Sequence, residues 1–310
     1  MCERLNPKSV DAILLAGKDP EKDGFNGQHK FSIELGGRSV LSTVLDALDS
    51  ASFVDRVVCV GPVEKLNDEI CGRKKDYILV EQKGTLWDNV STGIERQQQI
   101  KGDKEVFIVC SDLPFLTSQS VDWMVINSQK NTNIQFPVVP QSVVQQLSPT
   151  YETYYWPMKE FAFKMGNNIF IDINRLSDDR LKTLLNEYRG TGSDNYMLMS
   201  LQRLALLQKY GGTEAVYTTI VNYASKLLQM RGLARNGVPF SRLRSKTDYE
   251  RLISRTLGTK IEMLSVPFVD VVLDIDNPLR TGIFQRGYSK IWEVVKSQAN
   301  VEIGLPEGVK

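Results

Sequence analysis

The chain has 310 residues, 42% hydrophobic and 24% charged, the profile of a globular protein with one large domain or two small ones. A formal net charge of +1 with no basic block argues against nucleic acid as a partner. No apolar run reaches the length of a transmembrane segment, and Met1-Cys2-Glu3-Arg4 lacks a signal peptide's apolar core; together with four cysteines (Cys2, Cys59, Cys71, Cys110) of unpaired spacing, this fits a reducing, cytoplasmic setting.

Val10 to Ala16 is a short apolar run closed by Gly17, with a strand expected at Ala12 to Leu15. The polar loop from Lys18 to Lys30 follows, too rich in charge, Gly and Asn to be core. A strand feeding such a loop is a common way to cradle phosphate with backbone N–H groups and a lysine. Next come a short hydrophobic stretch, a Gly36-Gly37 turn and a helix over Val40 to Ala51. Strands are expected at Arg56 to Val60, Tyr77 to Glu81, Glu105 to Cys110 and Ile134 to Val139, with helices at Asn89 to Gln99 and Ser118 to Asn127. This alternation predicts an α/β fold over residues 1–140, a mainly parallel sheet with helices on both faces.

At Gln141 the character changes. A Gln-rich linker leads to the aromatic cluster Tyr151, Tyr154, Tyr155 and Trp156, then to an alternating segment interrupted by Gly166-Asn167-Asn168. Residues 178–258 read as a helical insertion, with Ser193 as one cap and a capping box at Thr247-Asp248-Tyr249-Glu250. Lys260 to Asp274 returns to strand character and carries Asp276 back to the sheet. Residues 141–310 are thus the second half of what reads as one domain without internal repeats.

The segment Val106 to Phe115 is the most informative. A buried-strand run stops at Asp112, two residues before Pro114, where open α/β sheets bind ligands and a carboxylate can hold a metal against a phosphate. An Asp opening a turn and capping the helix near Ser118 fits the same letters. The single histidine, His29, narrows the chemistry: imidazole mechanisms would all have to use it, whereas chemistry built on lysines, carboxylates and Mg²⁺ is unrestricted.

Leu15-Ala16-Gly17, Lys30, Leu35-Gly36-Gly37-Arg38-Ser39-Val40-Leu41 and Cys110-Ser111-Asp112-Leu113-Pro114-Phe115, in that order, resemble the motifs of the MobA-like nucleotidyltransferases. Leu273-Asp274-Ile275-Asp276-Asn277-Pro278-Leu279 is similar to the family's late acidic segment, so that the likeness runs from about Ser9 to about Trp292. It implies a Rossmann-like, GT-A-type sheet and transfer of NMP from an NTP to a phosphate- or hydroxyl-bearing small molecule. By the same resemblance, Asp112 and Asp276 would hold Mg²⁺ and Lys30 would neutralise phosphate charge. Leu15, Ala16, Gly17 and Lys18 would carry the triphosphate, Gln82, Gly84 and Asn89 the nucleobase and ribose, and Gly166 and Asn167 the acceptor. One departure stands out: the family's second glycine is Lys18 here and the loop arginine is missing. Either the loop takes another path or Lys18 supplies charge directly.

Structural alternatives accompany these roles. Asp276-Asn277-Pro278 is a good capping string, Asp274 is a substitute ligand, Asp88 or Asn89 would serve as a helix cap, and Gly166 fits a simple bulge. The leucine-rich helices of the insertion fit core packing or a homodimer face. Two other functions share the fold: a glycosyltransferase, which would bind a nucleotide-sugar but not turn over free NTP, and a non-catalytic nucleotide-binding scaffold.

Overall fold

The computed structural model describes residues 9–17, 25, 27–100, 105–128, 132–151, 153–175, 196–230 and 244–299. Its centre is β1 (Val10–Leu15), all six residues buried. Parallel neighbours flank it: β4 (Val54–Gly61), with β5 (Asp76–Glu81) beyond, on one side, and β6 (Glu105–Cys110) on the other. Past β6 the order continues through β10 (Ile169–Asp172) to β7 (Ile134–Pro140), which pairs with β9 (Ala162–Met165) and in parallel with β11 (Ile261–Ser265); β8 (Trp156–Pro157) lies outside β9. Only β9 and β10 run against the rest, giving the mixed, mostly parallel sheet that the β/α alternation predicts.

Alternation along β1 sorts the two faces. Ala12 and Leu14 point into a core shared with α1 (Val40–Ser50), α4 (Ser118–Asn127) and the C-terminal helix α8 (Pro278–Ala299), while Ile13 and Leu15 face α3 (Leu86–Ile100). The remaining helices are α2 (Val63–Ile70), α5 (Gln141–Val144), α6 (Tyr196–Met230) and α7 (Lys246–Leu257). A break at Gly212 (φ +71°) divides α6 into two segments. The two-residue strands β2 (Glu34–Leu35) and β3 (Arg38–Ser39) are joined by Gly36 and Gly37 at φ +60° and +79°, a backbone that a two-residue hairpin requires and other residues resist. Among the described residues no helix is long and apolar enough to cross a membrane.

Several local expectations change. The Gln-rich stretch after Pro140 is α5 and a 3₁₀ turn (Gln145–Leu147), with Val144 and Leu147 buried, rather than a linker. The capping box of α7 is Ser245 with Asp248, two residues earlier than the one expected at Thr247: Ser245 Oγ accepts from the Asp248 N–H and Asp248 accepts from the Ser245 N–H. Strand β11 ends at Ser265, and Asp274 to Asp276 lie in coil after a 3₁₀ turn over Asp270–Val272. Tyr151 and Tyr155 are buried parts of the main core. Arg244 pairs with Glu214 on α6. Lys18 and Ser193 lie outside the described residues.

Candidate functional site

The chain leaves β1 toward β4 and β5, then returns to the other side of β1 with β6. Such a reversal opens a crevice at the carboxyl ends of the strands, because the connections on either side of it depart in opposite directions. Gly17 follows β1 and Asp112 follows β6, so the two flank that crevice. The Ser111 N–H donates to the Leu15 carbonyl (3.1 Å) and the Ala16 N–H to the Val60 carbonyl (2.8 Å), which fixes the strand ends against each other. Leu15 and Ala16 therefore position the rim; the Leu15 side chain itself is core.

One cluster gathers around Gly17. A Cβ at this position would lie 2.7 Å from Gln82 Oε1 and 2.9 Å from Asn89 Nδ2. Gln82 follows β5; its Oε1 is buried and finds no partner among the described residues. Asn89 is buried in the first turn of α3, and its Oδ1 accepts from the Lys83 N–H at 2.6 Å. Asn89 is not the helix cap. Thr85 and Asp88 close the end of α3 reciprocally, Asp88 Oδ2 accepting from the Thr85 N–H (2.7 Å) and Thr85 Oγ1 from the Asp88 N–H (3.2 Å). Gly84 sits at this turn, where a Cβ would approach Asp88 Oδ2 at 3.2 Å. Trp87 packs into the core.

A second cluster is acidic and lies beyond β6. Asp112 does not cap α4; that role belongs to Thr117, whose side chain accepts from the Ser120 N–H. The Asp112 carbonyl accepts from the Ile275 N–H (3.0 Å), which sets Asp112 beside the segment that carries Asp274 and Asp276. Its Oδ1 is buried and has no partner among the described residues. Burial and then the nearby Asp274 carboxylate push the Asp112 carboxyl up to about 6; Lys30 draws it down and Asp276 adds to the rise. Lys30, at the start of the 3₁₀ turn Lys30–Ser32, thus acts on Asp112, its Nζ 5.8 Å from the Phe25 ring centroid. His29 is buried and stacks on Phe31 at 4.9 Å.

Asp276 is likewise free of capping. Asn277 caps α8 instead, its Oδ1 accepting from the Arg280 N–H at 2.9 Å. Arg280 Nη1 donates to Asp274 Oδ1 (2.7 Å) and to Asp276 Oδ2 (2.5 Å), and Lys164 Nζ stands 3.8 Å from Asp274 Oδ1. Burial alone would raise Asp274, but Lys164, a hydrogen bond shared with Asp276, and Arg280 hold it below the usual carboxylate range. Burial and that same shared bond raise Asp276. The two carboxylates are thus unequal, Asp274 held in its ionised form more firmly than Asp276.

The Gly166-Asn167-Asn168 interruption faces this acidic cluster. The step from Gln135 to Val138 on β7 is opposed by the longer step from Met165 to Phe170, so β9 and β10 form one antiparallel passage broken by a bulge. Gly166 is required by packing: its Cβ would meet Pro137 Cγ at 2.7 Å and the Val271 carbonyl at 3.2 Å. The Asn167 side chain hydrogen-bonds Asp274, and its carbonyl accepts from the Cys110 thiol at 3.2 Å. Cys110 accordingly borders the site rather than filling core. Lys164 and Arg280 were not singled out in the sequence; the spacing of Asp276 and Arg280 across one helical turn was the available signal, and Lys164 offered none.

A family model described as the MobA-like NTP transferase domain matches residues 12–194. The chain belongs to the MobA-like NTP transferase family. Among solved structures, a hypothetical transferase from Thermus thermophilus superposes with a TM-score of 0.58 at 21% identity, covering 88% of this chain and 99% of that one. The 4-diphosphocytidyl-2C-methyl-D-erythritol synthase of Anaerococcus prevotii superposes with a TM-score of 0.50 at 12% identity, covering 92% and 100%. At these identities both show a shared fold. No curated protein sequence matches the chain.

Proposed function

We propose that this NTP transferase family member is a Mg²⁺-dependent nucleotidyltransferase that moves NMP from an NTP to a phosphate- or hydroxyl-bearing small molecule. The observation that carries the reading is Asp112: a carboxylate at the end of β6, at the sheet's reversal point, with a buried oxygen that has no partner among the described residues and with Lys30, Asp274 and Asp276 in its field. Oxygen donors of this kind suit Mg²⁺, which binds through one or two carboxylates and takes its other ligands from water and phosphate. Among the described residues no three His, Cys, Asp or Glu side chains close on one point, so an ion here would need its remaining ligands from water and substrate. When bound, the ion would neutralise charge on the α-phosphate and the departing pyrophosphate.

The chain's own residues supply positioning and charge. Asp112 and Asp276 hold the metal-facing side, with Asp274 as their fixed neighbour, and Lys30 offsets negative charge on the phosphates in a site where burial makes a fixed cation more effective than in water. Gly17 lets the nucleotide approach the rim closely, and Gln82, Gly84 and Asn89 present amide and backbone groups to the base. Gly166 and Asn167, beside Asp274, place the acceptor. An acceptor oxygen, already ionised in a phosphate or giving up its proton to solvent in a hydroxyl, forms a bond to the α-phosphorus, the bond from that phosphorus to the bridging oxygen breaks, and pyrophosphate leaves with the electron pair, with no covalent enzyme intermediate. The test is pyrophosphate release with each of the four NTPs against a pool of phosphorylated and hydroxylated metabolites, comparing the wild type with Asp112→Asn. Release by the wild type and its loss in the variant support the reading; equal rates for the two refute the role of Asp112.

A further inference from the structure

Arg280 is the residue the proposed chemistry leaves unused, and it lies across the acidic pair. Its Nη1 reaches the Asp274 side chain, the Asp276 side chain and, at 3.4 Å, the Asp274 carbonyl. With Lys164 beside Asp274, two cations face two carboxylates, and the pair has no surplus negative charge to draw in a divalent ion. The guanidinium is largely covered, its side chain 17% exposed and its Cζ 5.9 Å from the Tyr151 ring centroid. Among the described residues every bond from the guanidinium runs through Nη1, which leaves Nε and Nη2 as donors for an incoming anion.

We infer that Arg280 is a resident counter-ion that holds the Asp274–Asp276 pair when no nucleotide is bound and yields it when a metal-bearing triphosphate arrives. A divalent ion arriving alone at Asp276 would take one of the covered guanidinium's two carboxylate partners and set a second cation beside it, with Asp274 alone left to balance Arg280. A triphosphate brings oxygens that the same planar guanidinium can bind, so the ion pair is exchanged rather than lost. The metal then enters with the nucleotide, and free metal binds weakly. This rests on the metal-facing role proposed above for Asp112 and Asp276.

The test is Mn²⁺ binding followed by electron paramagnetic resonance, with and without each non-hydrolysable α,β-methylene NTP, for the wild type, Arg280→Met and Arg280→Lys. Met keeps the apolar stem against Tyr151 while removing the charge. The wild type is expected to bind Mn²⁺ at least about tenfold more tightly with nucleotide than without, and Arg280→Met to bind free Mn²⁺ at least about tenfold more tightly than the wild type, with Arg280→Lys close to the wild type. Unchanged or weaker free-Mn²⁺ binding in Arg280→Met, with nucleotide-dependent binding intact, overturns this inference alone. No Mn²⁺ binding by the wild type in either condition overturns the metal-dependent function and this inference with it. Should Arg280→Met fail to fold, ¹⁵N guanidinium spectra of the wild type decide: the Arg280 signals are expected to move on addition of Mg²⁺ with nucleotide and to stay in place with Mg²⁺ alone. Movement with Mg²⁺ alone overturns the inference.

Discussion

Asp270 fastens together the two segments that deliver the acidic cluster, and its removal can be worked through from the structure. Its buried Oδ2 accepts from the Thr117 N–H (2.9 Å), Thr117 Oγ1 (2.7 Å) and Ser120 Oγ (2.7 Å), tying the start of α4, just after Asp112, to the turn just before Asp274. In Asp270→Ala the hydroxyls have other acceptors, since Thr117 Oγ1 lies 3.2 Å from Ser120 Oγ and Ser120 Oγ lies 2.9 Å from the Thr117 carbonyl. The Thr117 N–H is left without its acceptor. A stranded buried donor and the lost charge-assisted bonds together cost about 2–4 kcal/mol after relief of the buried charge.

Asp270→Asn keeps an acceptor and drops the charge. Burial moves the Asp270 carboxyl from 3.8 to about 6, a cost of about 3 kcal/mol to its ionised form, so the Asn variant should lie within about 1 kcal/mol of the wild type near pH 7. The pH dependence has a fixed sign. Between about 4 and 6 the folded state holds more protons than the unfolded one, so this group's contribution to stability rises as pH falls through that window and is lost as pH climbs above it. Urea denaturation at pH 7.5 and 4.5 reads this directly: the wild type should gain about 2 kcal/mol on Asp270→Asn at the lower pH. An unchanged gap between the two proteins, or an Ala variant as stable as the wild type, would refute the reasoning.

Gly17→Ala places a methyl 2.7 Å from Gln82 Oε1 and 2.9 Å from Asn89 Nδ2, the latter side chain being held by Lys83. Nucleotide affinity should fall at least about tenfold, with a stability loss of about 1–3 kcal/mol; calorimetric NTP titration that shows full affinity counts against the base-binding role. Gly36→Ala combines φ +60° with a Cβ 2.3 Å from the Tyr288 ring and should cost about 2–4 kcal/mol in chemical denaturation, whereas a neutral result would mean the hairpin is wrongly described. Because the Asp112 carboxyl is raised to about 6, Mn²⁺ binding with nucleotide present should strengthen as pH rises from 5 to 7, and Asp112→Asn should remove that component; a profile flat across this range and identical in the variant excludes Asp112 as a ligand.

Much of residues 1–140 is legible because the strands there are buried on both sides. Runs such as Ala12 to Leu15 and Val106 to Cys110 carry almost no polar residue, so their period needs no partner to be read. Helix α2 escaped notice because it buries only Leu66, and a one-residue stripe produces no visible periodicity. The position of Asp112 after its strand was readable, but its alignment with Asp274 depends on one backbone bond from Ile275, a contact between residues far apart in sequence. Asp270 gave a partial signal, a lone carboxylate inside the apolar run Val266 to Leu273. Its partners, Thr117 and Ser120, are 150 or more positions away and could not be named. Exchange of caps followed from local competition: Asn277 and Asp276 are both good cap residues, and the chain's path toward Arg280 decides between them.

If Asp112 is a ligand of the proposed metal-bound triphosphate at the end of β6, crystals grown with Mn²⁺ and a non-hydrolysable NTP and measured for the anomalous signal of the ion will show it. A single peak is expected within about 2.0–2.4 Å of an Asp112 carboxylate oxygen, beside the phosphates and on the Lys30 side of the crevice. A nucleotide bound elsewhere, or an ion at this nucleotide with Asp112 still turned into the packing around it, would rule out that role for Asp112.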